Sequence, residues 1–226
     1  MHYLTAVITE NKPDDDILAK MLAPYDQGLE VEPYITDGYA EVKKTMKHDA
    51  DGLPDDEREE LLEALEKDDI GTIRYYNLKH DFMYYEDINR NGEGLSSHNP
   101  DSKWDSWHVL EKNKSFLGID QLAQLKDIPR LTEPLLHEKF KDMAKLYGEQ
   151  IAWDKVFRPG YADDHYPSLY DYICYRLPYD VIYPDGTWHE HDRRDLARNR
   201  EYAKTFYATL DSFPQDYYLT LVDCHI

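Results

Sequence analysis

The first 35 residues read strand, helix, strand, and that order constrains the fold more than any other feature of the chain. His2 to Thr9 (HYLTAVIT) is an apolar run rich in β-branched residues, the composition of a buried strand. Asn11-Lys12-Pro13 followed by Asp14, Asp15 and Asp16 then reads as a helix start, because proline suits the first turn and carboxylates favour the positive end of the helix dipole. Ile17, Leu18, Met21 and Leu22 form its apolar stripe, which ends before Pro24. A second strand, Leu29 to Ile35, alternates Leu29, Val31, Pro33 and Ile35 with Glu30, Glu32 and Tyr34, and its proline marks an edge or a bulge. Each helix stripe needs a sheet to cover it, so the expected fold is α+β: a single domain over residues 1–226, with a mixed β-sheet and helices packed on it. A chain of 226 residues is long enough for one well-buried core, or at most two small ones.

The rest of the chain continues the pattern. Asp37 to Lys47 reads as a short helix and Pro54 to Lys67 as a clearer one. The aromatic run from Thr72 to Tyr85 reads as helix or loop and then as a strand entering a hairpin at Asn91-Gly92. Glu133 to Trp153 places Leu135, Leu136, Phe140, Met143, Ala144, Leu146 and Tyr147 at helical spacing, and Asp154 to Pro167 reads as loop. Tyr170 to Tyr183 (YDYICYRLPYDVIY) is β-rich and is expected to be extended, with Pro184-Asp185-Gly186 turning it into Thr187-Trp188-His189. Glu201 to Phe213 reads as a helix that Pro214 breaks, and Tyr217 to Val222 (YYLTLV) as a last strand inside the sheet.

Charge narrows the function classes. With 46 acidic and 26 basic residues the net charge is −20, so electrostatic repulsion opposes direct binding to nucleic acid or to an anionic membrane, and a partner with a basic surface is favoured. Aromatics make up 13% of the chain, including 20 tyrosines, which argues for a folded, contact-forming surface. The acid is densest between Pro54 and Lys67, where Leu61, Leu62 and Leu65 form one stripe. Asp55, Asp56, Glu59, Glu60, Glu63 and Glu66 lie on the rest of that helix, either as a solvated face or as a ladder of carboxylates presented to a basic groove. Two cysteines, no leader before Met1-His2-Tyr3 and no apolar stretch of membrane-spanning length give a cytoplasmic expectation.

The most unusual stretch is NGEGLSSHNPDSKWDSWHVL, Asn91 to Leu110, in which two turn signals are followed by Trp104 and Trp107 beside Lys103, Asp105 and His108. Those five residues are either core packing with a local ion pair or the lining of a ligand pocket. Asp87-x-Asn89-x-Asn91-Gly92 copies the first half of a calcium loop, but its twelfth position is His98 where a bidentate carboxylate is needed, so a hydrogen-bonded hairpin turn is the expectation. His189 and His191, two apart, and Asp223 and His225, likewise two apart, would suit a transition metal if they converged. No nucleophile elbow, phosphate loop or catalytic cysteine signature is present, and no cofactor is expected.

Several segments together resemble a group of largely uncharacterised bacteriophage and prophage proteins. They are Leu22-Ala23-Pro24-Tyr25-Asp26, Glu30-Val31-Glu32-Pro33-Tyr34, the central Asn99-Pro100-Asp101-Ser102-Lys103-Trp104-Asp105, and the ending Leu219-Thr220-Leu221-Val222-Asp223-Cys224-His225-Ile226. In that group the tryptophan motif continues into Gly-Gly-Arg and a late Asp-Gly-x-Trp turn precedes the last helix. Asp185-Gly186-Thr187-Trp188 matches the turn, whereas Leu110-Glu111-Lys112-Asn113-Lys114 lacks Gly-Gly-Arg. The resemblance implies expression inside an infected bacterium and brings no activity with it. Joined to the acidity, it makes the leading expectation a non-enzymatic counter-defence inhibitor whose acidic surface occupies the nucleic-acid groove of a host protein, such as a defence nuclease. The alternative is a small-molecule binder or metal-dependent hydrolase built around the central tryptophans.

Overall fold

A computed structural model describes residues 2–80, 85–110, 121–130, 141–160, 166–191 and 196–225. In chain order its elements are β1 (His2–Thr9), α1 (Asp15–Leu22), β2 (Glu30–Asp37), α2 (Tyr39–Asp49), α3 (Asp55–Lys67), α4 (Ile70–His80), β3 (Asp87–Ile88), β4 (Gly94–His98), β5 (Ser106–Val109) and β6 (Leu122–Gln124). They continue with α5 (Lys141–Phe157), α6 (Leu169–Arg176), β7 (Asp180–Ile182), β8 (Trp188–Glu190), α7 (Leu196–Ser212) and β9 (Tyr218–His225). The class is α+β, and the residues gather into two compact units: a sheet unit, Met1–Asp26 with Lys103–Ile226, and an inserted unit, Gln27–Ser102.

The sheet unit is organised around β1. Its strand order is β5-β9-β1-β7-β8, with β6 on the same ladder of β9 as β5; β1 runs parallel to β7 and antiparallel to β9. Thr5–Thr9 and Leu219–Val222 are buried without a break, which is the signature of strands covered on both faces and the reason these two runs carry no charged residue. One face packs Val7, Ile182, Val222 and Cys224 under Leu18 and Leu22 of α1. The other packs Ala6, Ile8, Val181, Leu219 and Leu221 against Cys174 and Leu177 of the α6 segment and Tyr202, Phe206 and Leu210 of α7. Asp14 caps α1, its carboxylate accepting from the Ile17 amide at 2.9 Å, as the acidic start implies. Cys174 and Cys224 are buried and not joined in a disulfide.

The segment from Tyr170 to Tyr183 corrects the extended reading. Leu169–Arg176 is helical, and only Asp180–Ile182 is strand. Ser168 accepts from the Asp171 amide as an N-cap, and Tyr172, Ile173 and Cys174 are buried by neighbouring helices, so packing and capping override the β propensity of Tyr, Ile and Cys. Asp154 likewise lies inside a helix, since α5 runs to Phe157; the first part of the predicted helix, 133–140, lies outside the described residues.

The inserted unit builds its own core. Val42 and Met46 of α2, Leu61, Ala64 and Leu65 of α3, and Ile73 and Tyr76 of α4 pack with Tyr85 and Ile88, beside a three-stranded sheet of order β2-β4-β3. Two glycines permit close approach of rings: a Cβ on Gly94 would overlap the Tyr85 ring, and one on Gly92, which has φ +82°, would overlap Tyr39. The β3–β4 turn is a hydrogen-bonded hairpin and leaves nothing for calcium. Arg74 grips both Asp87 oxygens at 2.5 and 2.6 Å, while Asn89 Oδ1 accepts from the Asn91 and Glu93 amides.

Candidate functional site

In the inserted unit the acidic helix α3 buries Leu61, Ala64 and Leu65 and exposes Asp55, Asp56, Glu59, Glu60, Glu63 and Glu66. Positions 55, 59, 63 and 66 follow the i,i+4 and i,i+3 rows, so they form one stripe, with 56 and 60 in the row beside it. At about 1.5 Å per residue the six carboxylates span about 16 Å, one for every ~3 Å of axis. That matches the phosphate density along one strand of duplex DNA, about one per 3.4 Å. Glu60 accepts from the Tyr76 hydroxyl at 2.8 Å and Glu63 pairs with Lys67. Among the described residues Asp55, Asp56 and Glu59 form no ion pair, and Glu66 feels the Coulombic attraction of the neighbouring Lys67.

The inward-leaning carboxylate is Glu57, which takes Lys79 at 3.0 Å and His80 at 2.6 Å from α4; the Lys79 hydrogen bond is the main reason its carboxyl lies below the usual carboxylate range. Lys79 also lies over the Tyr75 ring, and Tyr75 and Leu78 are each 54% exposed on α4. Two apolar side chains are thus exposed on α4. Counted over residues 27–102, 20 carboxylates stand against 8 cations, net −12; the remaining 150 residues hold 26 against 18, net −8.

In the sheet unit, the central tryptophan stretch is divided between the two faces of the sheet by the period-two alternation of β5. Trp104 is buried and donates its indole N–H to the Leu22 carbonyl at 3.3 Å, and Trp107 packs with it under α1. Lys103 pairs with Glu190 on β8, and its carbonyl accepts from the Tyr3 hydroxyl. Asp105 and His108 take the other side. His225 Nδ1 lies 2.9 and 3.2 Å from the Asp105 oxygens, Ser106 Oγ donates to Asp105 at 3.0 Å, and His108 Nε2 lies 3.5 Å from Asp223 Oδ2. The five residues proposed as one pocket thus do not line one pocket.

The proposed metal quartet is also divided. Asp223 and His225 are on β9, whereas His189 is on β8 and His191 just after it, with β1 and β7 between; three strand spacings place the two pairs about 14 Å apart. His189 stacks on Tyr183 and His191 on Tyr202, each at 3.7 Å between ring centres. Among the described residues no three His, Cys, Asp or Glu side chains gather as a metal requires. What the structure brings together instead is two residues from each set: Asp105 and His108 with Asp223 and His225. Sequence spacing could not find this grouping, because it depends on the register Ser106↔His225 and His108↔Asp223 between strands more than a hundred residues apart. Cys224 lies on the opposite face from this group; burial first, then Asp180 and Asp223, push its thiol up to about 12, so it is no nucleophile.

No protein-family model, curated protein or solved structure matches the chain. The site is therefore read from its own geometry. Among the described residues no helix is long and apolar enough to cross a membrane.

Proposed function

We propose that the protein is a phage-encoded accessory protein that binds and inhibits a host defence protein through the acidic, tyrosine-bearing face of the inserted unit. The observation that carries this reading is the α3 stripe: six exposed carboxylates at nearly the linear charge density of a nucleic-acid strand. A basic groove that holds a phosphate backbone presents the complementary charge, so the helix competes for the same cations. Tyr75 and Leu78, exposed on α4 of the same unit, supply apolar anchors of the kind that hold an interface together once charge has steered the encounter. The partner on this reading is a host protein with a basic, nucleic-acid-binding surface, such as a defence nuclease, met in the cytoplasm of an infected bacterium.

The test is complex formation with candidate host nucleases over a salt series. Binding that is tight at low ionic strength and falls steeply as salt rises supports the groove-occupying mechanism. Binding that is absent, or indifferent to salt, refutes it.

A further inference from the structure

We infer that the outer edge of β2 is a docking site for an extended, basic segment of a partner protein, which joins the sheet of the inserted unit as a further strand. β2 stands at the end of the order β2-β4-β3 and pairs with β4 alone, so one of its edges meets no strand among the described residues. Such an edge presents N–H and C=O groups that another chain can take up. The core makes no use of this strand. None of its eight residues is buried, and the apolar cluster of the unit is built from α2, α3, α4, Tyr85 and Ile88 without it. Leu29, just before the strand, and Ile35 within it are 41% and 53% exposed, so apolar surface is left there for an incoming chain to cover.

Charge selects the occupant. Between Lys20 and Lys43 there is no Lys, Arg or His, and the only charged side chains are Asp26, Glu30, Glu32, Asp37 and Glu41. Glu30 and Glu32 are exposed on β2, while Asp37 accepts from the Tyr85 hydroxyl at 3.0 Å. A second copy of the same strand fits poorly. Antiparallel pairing centred between Tyr34 and Ile35 sets Glu32 opposite Asp37, and pairing centred on Val31 sets Glu30 opposite Glu32; like charges directly opposed destabilise a ladder. Pro33, and the register shifts between Glu30 and Tyr34 and between Ile35 and Asp37, blunt the edge further against an identical strand.

A strand with lysine or arginine at alternate positions reverses that balance. The carboxylates that repel a second copy become cross-strand pairs, and the intervening apolar residues of the newcomer have Leu29 and Ile35 to cover. Main-chain hydrogen bonds then supply attachment, and the alternation of charge supplies selectivity. The inference stands apart from the α3 reading, since it needs an extended basic segment and not a nucleic-acid groove.

The test titrates the full chain at physiological salt with a labelled, end-capped peptide of the length of β2, eight residues alternating lysine and valine. Binding is read by fluorescence anisotropy and by amide hydrogen exchange of the protein. The inference expects saturable binding and about tenfold slower exchange at alternate amides between Glu30 and Asp37, the set facing away from β4, with Ile73 and Tyr76 of α4 unchanged. Methylating every amide nitrogen of the peptide keeps its side chains and charge but removes its donors, and is expected to abolish that protection. A glutamate–valine peptide is expected not to bind. Glu30→Gln with Glu32→Gln is expected to weaken binding about three- to tenfold, and unchanged exchange at Ile73 and Tyr76 in that variant shows that the unit is folded. Absence of saturable binding, equal binding of the methylated peptide, or protection that falls on α3 and not on β2 overturns the inference; the last result would leave the α3 reading standing, so the two fail separately. A chain that dimerises alone, with the same β2 amides protected as its concentration rises, gives the edge to a second copy and overturns the inference as well.

Discussion

The inserted unit and the sheet unit spend their charge differently. In 76 residues the inserted unit carries net −12, and its longest acidic helix leaves six carboxylates in solvent. In 150 residues the sheet unit carries net −8. Carboxylates serve the structure in both units, Asp171 taking Arg200 and Asp211 taking Arg130 in the sheet unit, Asp87 taking Arg74 and Glu57 taking Lys79 in the inserted one, so what differs is the stripe on α3. A net charge of −20 for the whole chain hides this division. Charge neutralised inside the fold sets stability, and charge left facing water on one helix is available to a partner.

The contrast can be broken most forcefully by truncating each core. Phe206 is 1% exposed between α7 and the sheet, and Phe206→Ala is expected to cost about 3–5 kcal/mol in denaturant unfolding. Gly94→Val drives a branched side chain into the Tyr85 ring and is expected to cost about 1–3 kcal/mol. Exchange protection should show each loss in its own unit: at β1 and β9 for the first, at α4 and β3 for the second. Losses spread evenly over the chain would show that the two cores are not separate.

A smaller effect sharpens the internal use of charge. Burial would raise the Asp171 carboxyl, but the Arg200 guanidinium and the Ser168 hydroxyl outweigh it and hold the group below the usual carboxylate range. Its stabilisation is thus present above its unfolded value and lost as pH falls through the lowered one. Asp171→Asn is expected to cost about 1–3 kcal/mol at neutral pH, less than a fully buried pair because Arg200 is half exposed, and to flatten the acid limb of stability below the ordinary carboxylate value. Equal acid slopes in the two proteins would remove Asp171 from the account. The smallest effect is expected on α3, where Glu59→Gln with Glu66→Gln should change unfolding stability by less than about 0.5 kcal/mol.

The central strands were legible in the sequence because burial on both faces keeps charge out of the run, as in Thr5–Thr9 and Leu219–Val222. The α3 stripe was equally legible, since helical spacing separates Leu61 and Leu65 from the carboxylates without any tertiary information. Leu169–Arg176 was not. Its tyrosines and isoleucine read as strand, and the one local signal of a helix was Ser168 three residues before Asp171, a capping pair. The histidine–carboxylate grouping was illegible for a different reason: Asp105 and His108 acquire their partners only through strand register, which no local pattern encodes.

The most direct test of the acidic face compares two variants of equal charge loss. One replaces Asp55, Asp56, Glu59, Glu60, Glu63 and Glu66 of α3 with their amides; the other replaces six exposed carboxylates of the sheet unit, Asp15, Asp16, Asp185, Glu190, Glu201 and Asp216. Each is titrated against a basic, nucleic-acid-binding host nuclease at low and at physiological salt. The account predicts that the α3 variant loses binding and its salt dependence while the sheet-unit variant stays close to the native chain. Equal losses in both would mean that net charge alone, and not its arrangement on one helix, does the binding.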